Sequence, residues 1–210
     1  MDGLLVDNAH LWFKAERQIL SGMGIEVDYE YVQSFAGFRT IEEVRAWKND
    51  FGFTEPDDQV LADQVEGAVR KLVETEGKPL PGVVKLIEEL ASYHIPMAVA
   101  SSSAMELITT TLRKIGVAQY MQAVHSGEHE KRGKPFPDVF LSAAKALDVE
   151  PEHCLVLEDA LVGVQAAKTA GMKCIAVPEA GYDQAAFESK NPDMIVDSME
   201  NVGWNLIKEM

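Results

Sequence analysis

Two spacings of apolar residues divide the chain. Near the start they recur three and four apart, as in Leu11, Trp12, Ala15, Ile19 and Leu20, the interval that lines one face of a helix. Gly22 and Gly24 interrupt that run. Further helices are predicted over 29–35, 41–49 and 57–74, the last opening after Pro56 with acidic residues in its first turn. The only strand-like patch in this part is Ile25-Glu26-Val27. From Pro79 onward, short apolar runs alternate with helical stretches. Strands are predicted at 96–100, 123–125, 155–157, 173–177 and 194–196, with helices over 81–92, 104–115, 138–147, 160–170 and 199–208. Gly116 and Gly171 stand where two of these helices stop. Apolar strands that do not alternate, each followed by a helix, imply an α/β fold whose parallel sheet is covered on both faces. The residues from 9 to 78 then read as a helical block of roughly 65 residues, near the lower limit for burying a core of its own. The rest, 1–8 and 79–210, forms the α/β core.

Composition narrows the partners. With 47% hydrophobic residues among 210, the chain can bury a sizeable core. Lys and Arg number 19 against 34 Asp and Glu, a formal charge of -15. That balance argues against nucleic acid or an anionic membrane as a partner, so any phosphate must be gripped locally. Cys154 and Cys174 both adjoin apolar runs and are expected to be reduced thiols, as in a cytoplasmic protein. No apolar run approaches the ~20 residues of a membrane span. Met1-Asp2-Gly3 lacks the basic start of a signal peptide.

Chemistry is expected at the strand ends. In Leu155-Val156-Leu157-Glu158-Asp159 an apolar strand stops at two adjacent carboxylates, a costly pairing that a hard cation with oxygen ligands would relieve. The alternative is that they only cap the next helix. Ser101, Ser102 and Ser103 follow another strand and precede a helix, where hydroxyls and amides can wrap a phosphate or simply cap. Lys134 lies in Gly133-Lys134-Pro135-Phe136-Pro137-Asp138, where flanking prolines and a glycine fix the backbone and aim the ammonium.

These stretches resemble, in order and spacing, the motifs of the haloacid dehalogenase superfamily, in its β-phosphoglucomutase-like branch. Asp2-Gly3-Leu4-Leu5-Val6-Asp7 is similar to the second half of the first motif, Ala100-Ser101-Ser102-Ser103 to the second, Gly133–Asp138 to the third and Leu157-Glu158-Asp159-Ala160 to the fourth. The likeness to 2-deoxyglucose-6-phosphate and hexitol-phosphate phosphatases is greatest over 4–16 and in the loop after Val177. The resemblance implies a Rossmann-like three-layer core, a helical cap that closes over the substrate, and Mg²⁺-dependent hydrolysis of small sugar or polyol phosphates through an aspartyl-phosphate. Asp2 would be the general acid/base, its carbonyl also on the metal. Ser101, Ser102 and Ser103 would bind the phosphoryl group and Lys134 offset its charge, while Glu158 and Asp159 would hold Mg²⁺. Arg39, in the cap, would reach the substrate's distal groups or else form a salt bridge at a helix start.

The family's nucleophile is an aspartate two residues before Asp2, on a central strand. This chain starts at Met1, between the two positions, so a displaced start rather than an evolved loss is expected. β-Phosphoglucomutases carry a histidine ten residues after the acid/base, where this chain has Trp12, which places a mutase below a phosphatase. A non-catalytic phosphate-binding protein is the other alternative. A monomer is expected.

Overall fold

The molecule was analysed as a computed structural model that describes residues 1–179 and 181–210; Ala180, in the loop after Val177, lies outside the described residues. Four helices come first: α1 (Ala9–Gly22), α2 (Tyr29–Gln33), α3 (Thr40–Phe51) and α4 (Asp58–Glu76). The last three start where a side chain satisfies an orphan amide. Asp28 accepts from the Tyr31 amide, Asp57 accepts from the Gln59 amide, and Glu42 reaches back to the Arg39 amide at 3.3 Å. The α4 stripe Val65, Val69 and Val73 is fully buried, each side chain worth about 1.5–3 kcal/mol. α4 packs on α1 and α3, and also on α6 (Met105–Lys114), so the helical block and the remainder share a continuous apolar core.

The α/β part contains five short strands, β1 (Ala98–Ser101), β2 (Ala123–Ser126), β3 (Leu155–Glu158), β4 (Lys173–Ala176) and β5 (Met194–Ile195). All their pairings are parallel. The connecting and flanking helices are α5 (Val83–Ser92), α6, α7 (Asp138–Leu147), α8 (Leu161–Thr169), α9 (Gln184–Glu188) and α10 (Trp204–Ile207). The strands form two sheets, ordered β1-β2 and β3-β4-β5. Strands β1 and β3 face each other across an apolar cavity of about 440 Å³, bordered by Met1 and by side chains of α5 and α7. The strands ending at Ser101 and Glu158 thus belong to separate sheets. Backbone groups along those two edges want partners of strand type.

Three local expectations change. Ile25-Glu26-Val27 is no strand: the Ile25 amide bonds Leu20 O at 2.9 Å, and the segment closes the end of α1. The helix expected over 199–208 splits into a 3-10 turn, Met199–Asn201, and α10, because Gly203 between them is extended at φ -154 and ψ 171. Helix α9, unforeseen, is nucleated by Asp183, whose carboxylate accepts from the Ala185 and Ala186 amides. The first residues are also part of the packed core. Met1, Leu4 and Val6 are buried, and Val6 bridges to Pro79. Cys154 and Cys174 are free thiols, Cys174 fully buried. Among the described residues no helix is long and apolar enough to cross a membrane.

Candidate active site

The C-terminal ends of β1 and β3 open toward α1 and α3, and a cavity of about 120 Å³ lies there. Asp2, Ser101, Ser102, Ser103, Lys134, Glu158 and Asp159 all line it. Separate chain segments thus deliver acid, hydroxyl, ammonium and paired carboxylates to one place.

The serine turn is built for reception. Ser101 ends β1, and all three serines are buried. The Ser103 amide donates to Ser101 Oγ at 3.3 Å, while Ser126 Oγ, from the neighbouring strand, donates to the Ser103 carbonyl at 2.6 Å. Ser102 Oγ is committed to the Gly37 carbonyl at 2.6 Å, which fastens the turn to the helical block. Helix α6 begins just beyond, and the amides at its start are taken by acids, Ala104 N donating to Glu66 Oε1 at 3.3 Å and Met105 N to Glu128 Oε1 at 2.9 Å.

Asp2 is held at three points. Its Oδ1 accepts from Asn8 Nδ2 at 2.6 Å and from Trp12 Nε1 at 3.2 Å, and its Oδ2 accepts from Ser103 Oγ at 2.7 Å. Asn8 is fully buried and also accepts from the Gly3 amide at 3.1 Å, so the turn and the carboxylate are fixed together. Trp12 thereby gains a polar task that its bulk did not announce.

Lys134 and Glu158 form a buried ion pair, Nζ to Oε2 at 2.8 Å, with side chains 3% and 4% exposed. The ammonium also lies 4.9 Å from the centre of the Phe140 ring. Burial, the largest single influence, would raise the Glu158 carboxyl, but the Lys134 charge, the charge of the amino terminus and the hydrogen bonds from Lys134 and Asp159 together hold this acid below its ordinary range. Its neighbour takes the opposite course. Burial and the adjacent Glu158 charge push Asp159 up to about 8. Glu158 packs so closely on Gly163 that a Cβ there would stand 2.1 Å from its carboxyl carbon.

The same crowding tests the fit of a divalent cation. A Cβ on Gly3 would lie 2.2 Å from Asp159 Oδ2, so the Asp2-Gly3 backbone and the Asp159 carboxylate adjoin. The Asp159 carboxyl is raised first by its burial and then by the Glu158 charge. Among the described residues no group of three or more His, Cys, Asp or Glu is arranged to hold a metal. The Glu158 and Asp159 carboxylates beside the Asp2-Gly3 backbone are oxygen donors of the kind a hard divalent cation takes.

Arg39 lies elsewhere. Its guanidinium donates to the carbonyls of Gly127 at 3.4 Å and Glu130 at 3.1 Å and pairs with Glu42, in a brace between α3 and the loop after β2. Of its two expected roles, the salt bridge at a helix start is the one formed. Sequence reasoning missed Asn8, Ser126, Glu16 and Glu43. The last two also line the cavity, on the side formed by α1 and α3.

Comparison with known proteins gives concordant matches. A family profile described as haloacid dehalogenase-like hydrolase matches residues 1–177. The fructose-1-phosphate phosphatase YqaB of Escherichia coli is 33% identical over 179 residues, covering 84% of this chain and 93% of that protein. The chloroplastic protein SUPPRESSOR OF QUENCHING 1 of Arabidopsis thaliana is 34% identical over 98% of this chain, which spans only 20% of that longer protein. In three dimensions the chain is similar to a β-phosphoglucomutase from Clostridium difficile, with a TM-score of 0.84, 24% identity, and coverage of 99% and 92% of the two chains.

Proposed function

This chain belongs to the haloacid dehalogenase-like hydrolase family, and on that premise we propose that its cavity hydrolyses small sugar or polyol phosphate monoesters. The observation that carries the reading is the convergence of Asp2, Ser101, Lys134, Glu158 and Asp159 on one cavity at the β-strand ends. A relative matched over most of its length is a fructose-1-phosphate phosphatase, which supports the substrate class. Residues 9–78 act as the cap and 1–8 with 79–210 as the core. The reduced thiols Cys154 and Cys174 suit a cytoplasmic setting.

Ser101 Oγ and the amides of the serine turn bind the phosphoryl oxygens, and Lys134 offsets their charge. Glu158 and Asp159, with the Asp2 carbonyl, would hold a Mg²⁺ ion, which would supply further charge neutralisation at the phosphoryl group. The attacking carboxylate of this family, an aspartate two residues ahead of the acid/base, has no counterpart among these 210 residues and is supplied, on this proposal, by a strand ahead of Asp2. The strand carrying it would seat in the slot between β1 and β3, whose apolar lining and parallel edges suit such a segment. Its oxygen bonds to phosphorus as the ester P–O bond breaks, and Asp2 gives its proton to the leaving alkoxide. Asp2 then takes a proton from water, whose oxygen attacks phosphorus and frees the carboxylate and inorganic phosphate. Asn8, Trp12 and Ser103 keep the Asp2 carboxylate aimed through both steps.

The test is phosphate release from a panel of hexose and hexitol phosphates by a version extended N-terminally with an apolar strand and that aspartate. Mg²⁺-dependent release is expected, and its loss on Asp2→Asn. Saturable phosphate binding without turnover in the extended protein would replace the phosphatase with a phosphate-binding protein.

A further inference from the structure

Glycine is a poor helix former, yet Gly163 stands buried in the first turn of α8. Its φ is not in the left-handed range, so the backbone does not require it. Gly3 and Gly37 also press on the turn after β3, but their φ values of +64 and +86 favour glycine by themselves. Alanine at 163 would suit the helix better, which leaves space as the reason for glycine.

The Glu158 side chain takes that space. A Cβ on Gly163 would stand 2.1 Å from the Glu158 carboxyl carbon, 2.4 Å from Oε1 and 2.5 Å from Cγ, so one group would have to move. The far end of a long side chain ordinarily gives way at little cost, but this one is pinned. Glu158 is buried, its Oε2 accepts from Lys134 Nζ at 2.8 Å and its Oε1 accepts from the Ala160 amide at 3.3 Å. Displacing the carboxylate therefore either drags the ammonium with it or strips a buried charge of its partner.

Lys134 has few other restraints. Among the described residues its one ion pair is with Glu158, and its remaining charge contact is the Phe140 ring. The position of the ammonium thus follows the position of the carboxylate. In a preorganised site a misplacement of about 1 Å can cost up to about a hundredfold.

We propose that Gly163 is a positioning residue: its bare Cα seats the Glu158 carboxylate, and that seat sets where Lys134 presents its charge to a phosphoryl group. The proposal rests on the phosphatase reading of this cavity.

The experiment compares two helix glycines. Gly67, within α4, has nothing within 4 Å of an added Cβ, so Gly67→Ala raises the melting temperature by a few degrees and leaves phosphate binding within about twofold. Inorganic phosphate is titrated calorimetrically into the full chain carrying Gly163→Ala, with and without Mg²⁺. Affinity falls at least tenfold in both conditions, and the melting temperature falls as well. In the background Lys134→Met/Glu158→Ala the seat is empty, and there Gly163→Ala raises the melting temperature as Gly67→Ala does. That reversal of sign is one that a glycine serving the helix alone would not give, and it decides the seat even where Gly163→Ala by itself is too unstable to titrate. Phosphate bound as tightly by Gly163→Ala as by the wild type overturns the proposal and leaves the reading of the cavity standing. Weakening confined to solutions with Mg²⁺ also overturns it, since the effect would then lie at the cation rather than at Lys134. So does an equal fall in melting temperature in both backgrounds. A wild type that binds no phosphate overturns the phosphatase reading, and the proposal with it.

Discussion

The two ends of the cavity differ in how completely their polar atoms are satisfied. At the phosphoryl end, Asp2 receives three hydrogen bonds, the Lys134 ammonium lies on Glu158, and Ser102 and Ser126 are spent on backbone carbonyls. At the cap end, on the side of α1, α3 and α4, Glu16, Glu43 and, beyond the cavity lining, Glu66 each keep one buried oxygen without a hydrogen-bond donor, and burial raises all three acids. The first end is fixed before any ligand arrives, as chemistry on a charged centre demands. The second holds acids that burial inclines to stay protonated. One molecule thus sets a partnered, charged site beside incompletely partnered acids.

The largest effect on this contrast comes from Lys134→Met. It strands the Glu158 carboxylate in the interior, and removing one partner of a buried pair costs about 3–5 kcal/mol. The melting temperature of a chain this size should fall by roughly 6–20 °C, and adding Glu158→Gln should recover most of it. Calorimetry checks both. A melting point unchanged in Lys134→Met would show that the pair is not buried as described.

Next in size is the pH response of the cap end. Glu16 stands at about 8 against an ordinary 4.5, and Glu66 at about 7. A folded value above the unfolded one means that the stability tied to the protonated acid is complete below about pH 4.5. It is then lost as pH rises through about 7 to 8. Denaturant midpoints should therefore decline between pH 5 and 9, by an amount on the order of a few kcal/mol, since each tenfold change in proton affinity on folding is worth roughly 1.4 kcal/mol. The double variant Glu16→Leu/Glu43→Leu should flatten the curve and raise stability at pH 8. An equally steep curve in that variant would remove these acids as its source.

Smaller again is the aim of Asp2. Ser103→Ala and Trp12→Phe each delete one donor to its carboxylate, a loss of about 1.5–3 kcal/mol for a bond to a charged group. In the N-terminally extended protein each should lower kcat about tenfold or more, with KM little changed. Arg39→Ala should act least. Its pair with Glu42 is partly exposed and its two carbonyl contacts are long, so about 1 kcal/mol of stability and faster proteolysis near residue 130 are expected, with phosphate affinity unaltered.

The convergence of Ser101, Glu158 and Asp159 on one cavity was legible in the sequence because they stand where apolar strands stop: Ser101 after Ala98–Ala100, Glu158 and Asp159 after Leu155–Leu157. Lys134 was legible through the prolines that fix its loop. The cap end was not, because a glutamate within a helix ordinarily faces water. The signal was nevertheless there. Glu16 falls on the stripe of Trp12, Ala15 and Ile19, and Glu43 on that of Thr40, Val44 and Trp47. Arg39 was open to two readings, and the salt bridge at a helix start is the contact formed. A cationic residue near a helix start looks available for a ligand, and only the fold reveals that the loop after β2 supplies carbonyls to it. Ile25 and Val27 alternated like a strand, but they lie between α1 and α2 and pack on the helical core, where no strand among the described residues stands beside them.

Beneath these contrasts lies one claim: the serine turn, Lys134 and the acidic pair make a single anion site. Titration of inorganic phosphate with Mg²⁺ into the wild type and Ser101→Ala tests it directly. The account predicts one saturable site, weakened at least tenfold by the substitution, with the melting temperature of the free protein changed by only a few degrees. Phosphate binding of equal strength in both proteins would contradict it.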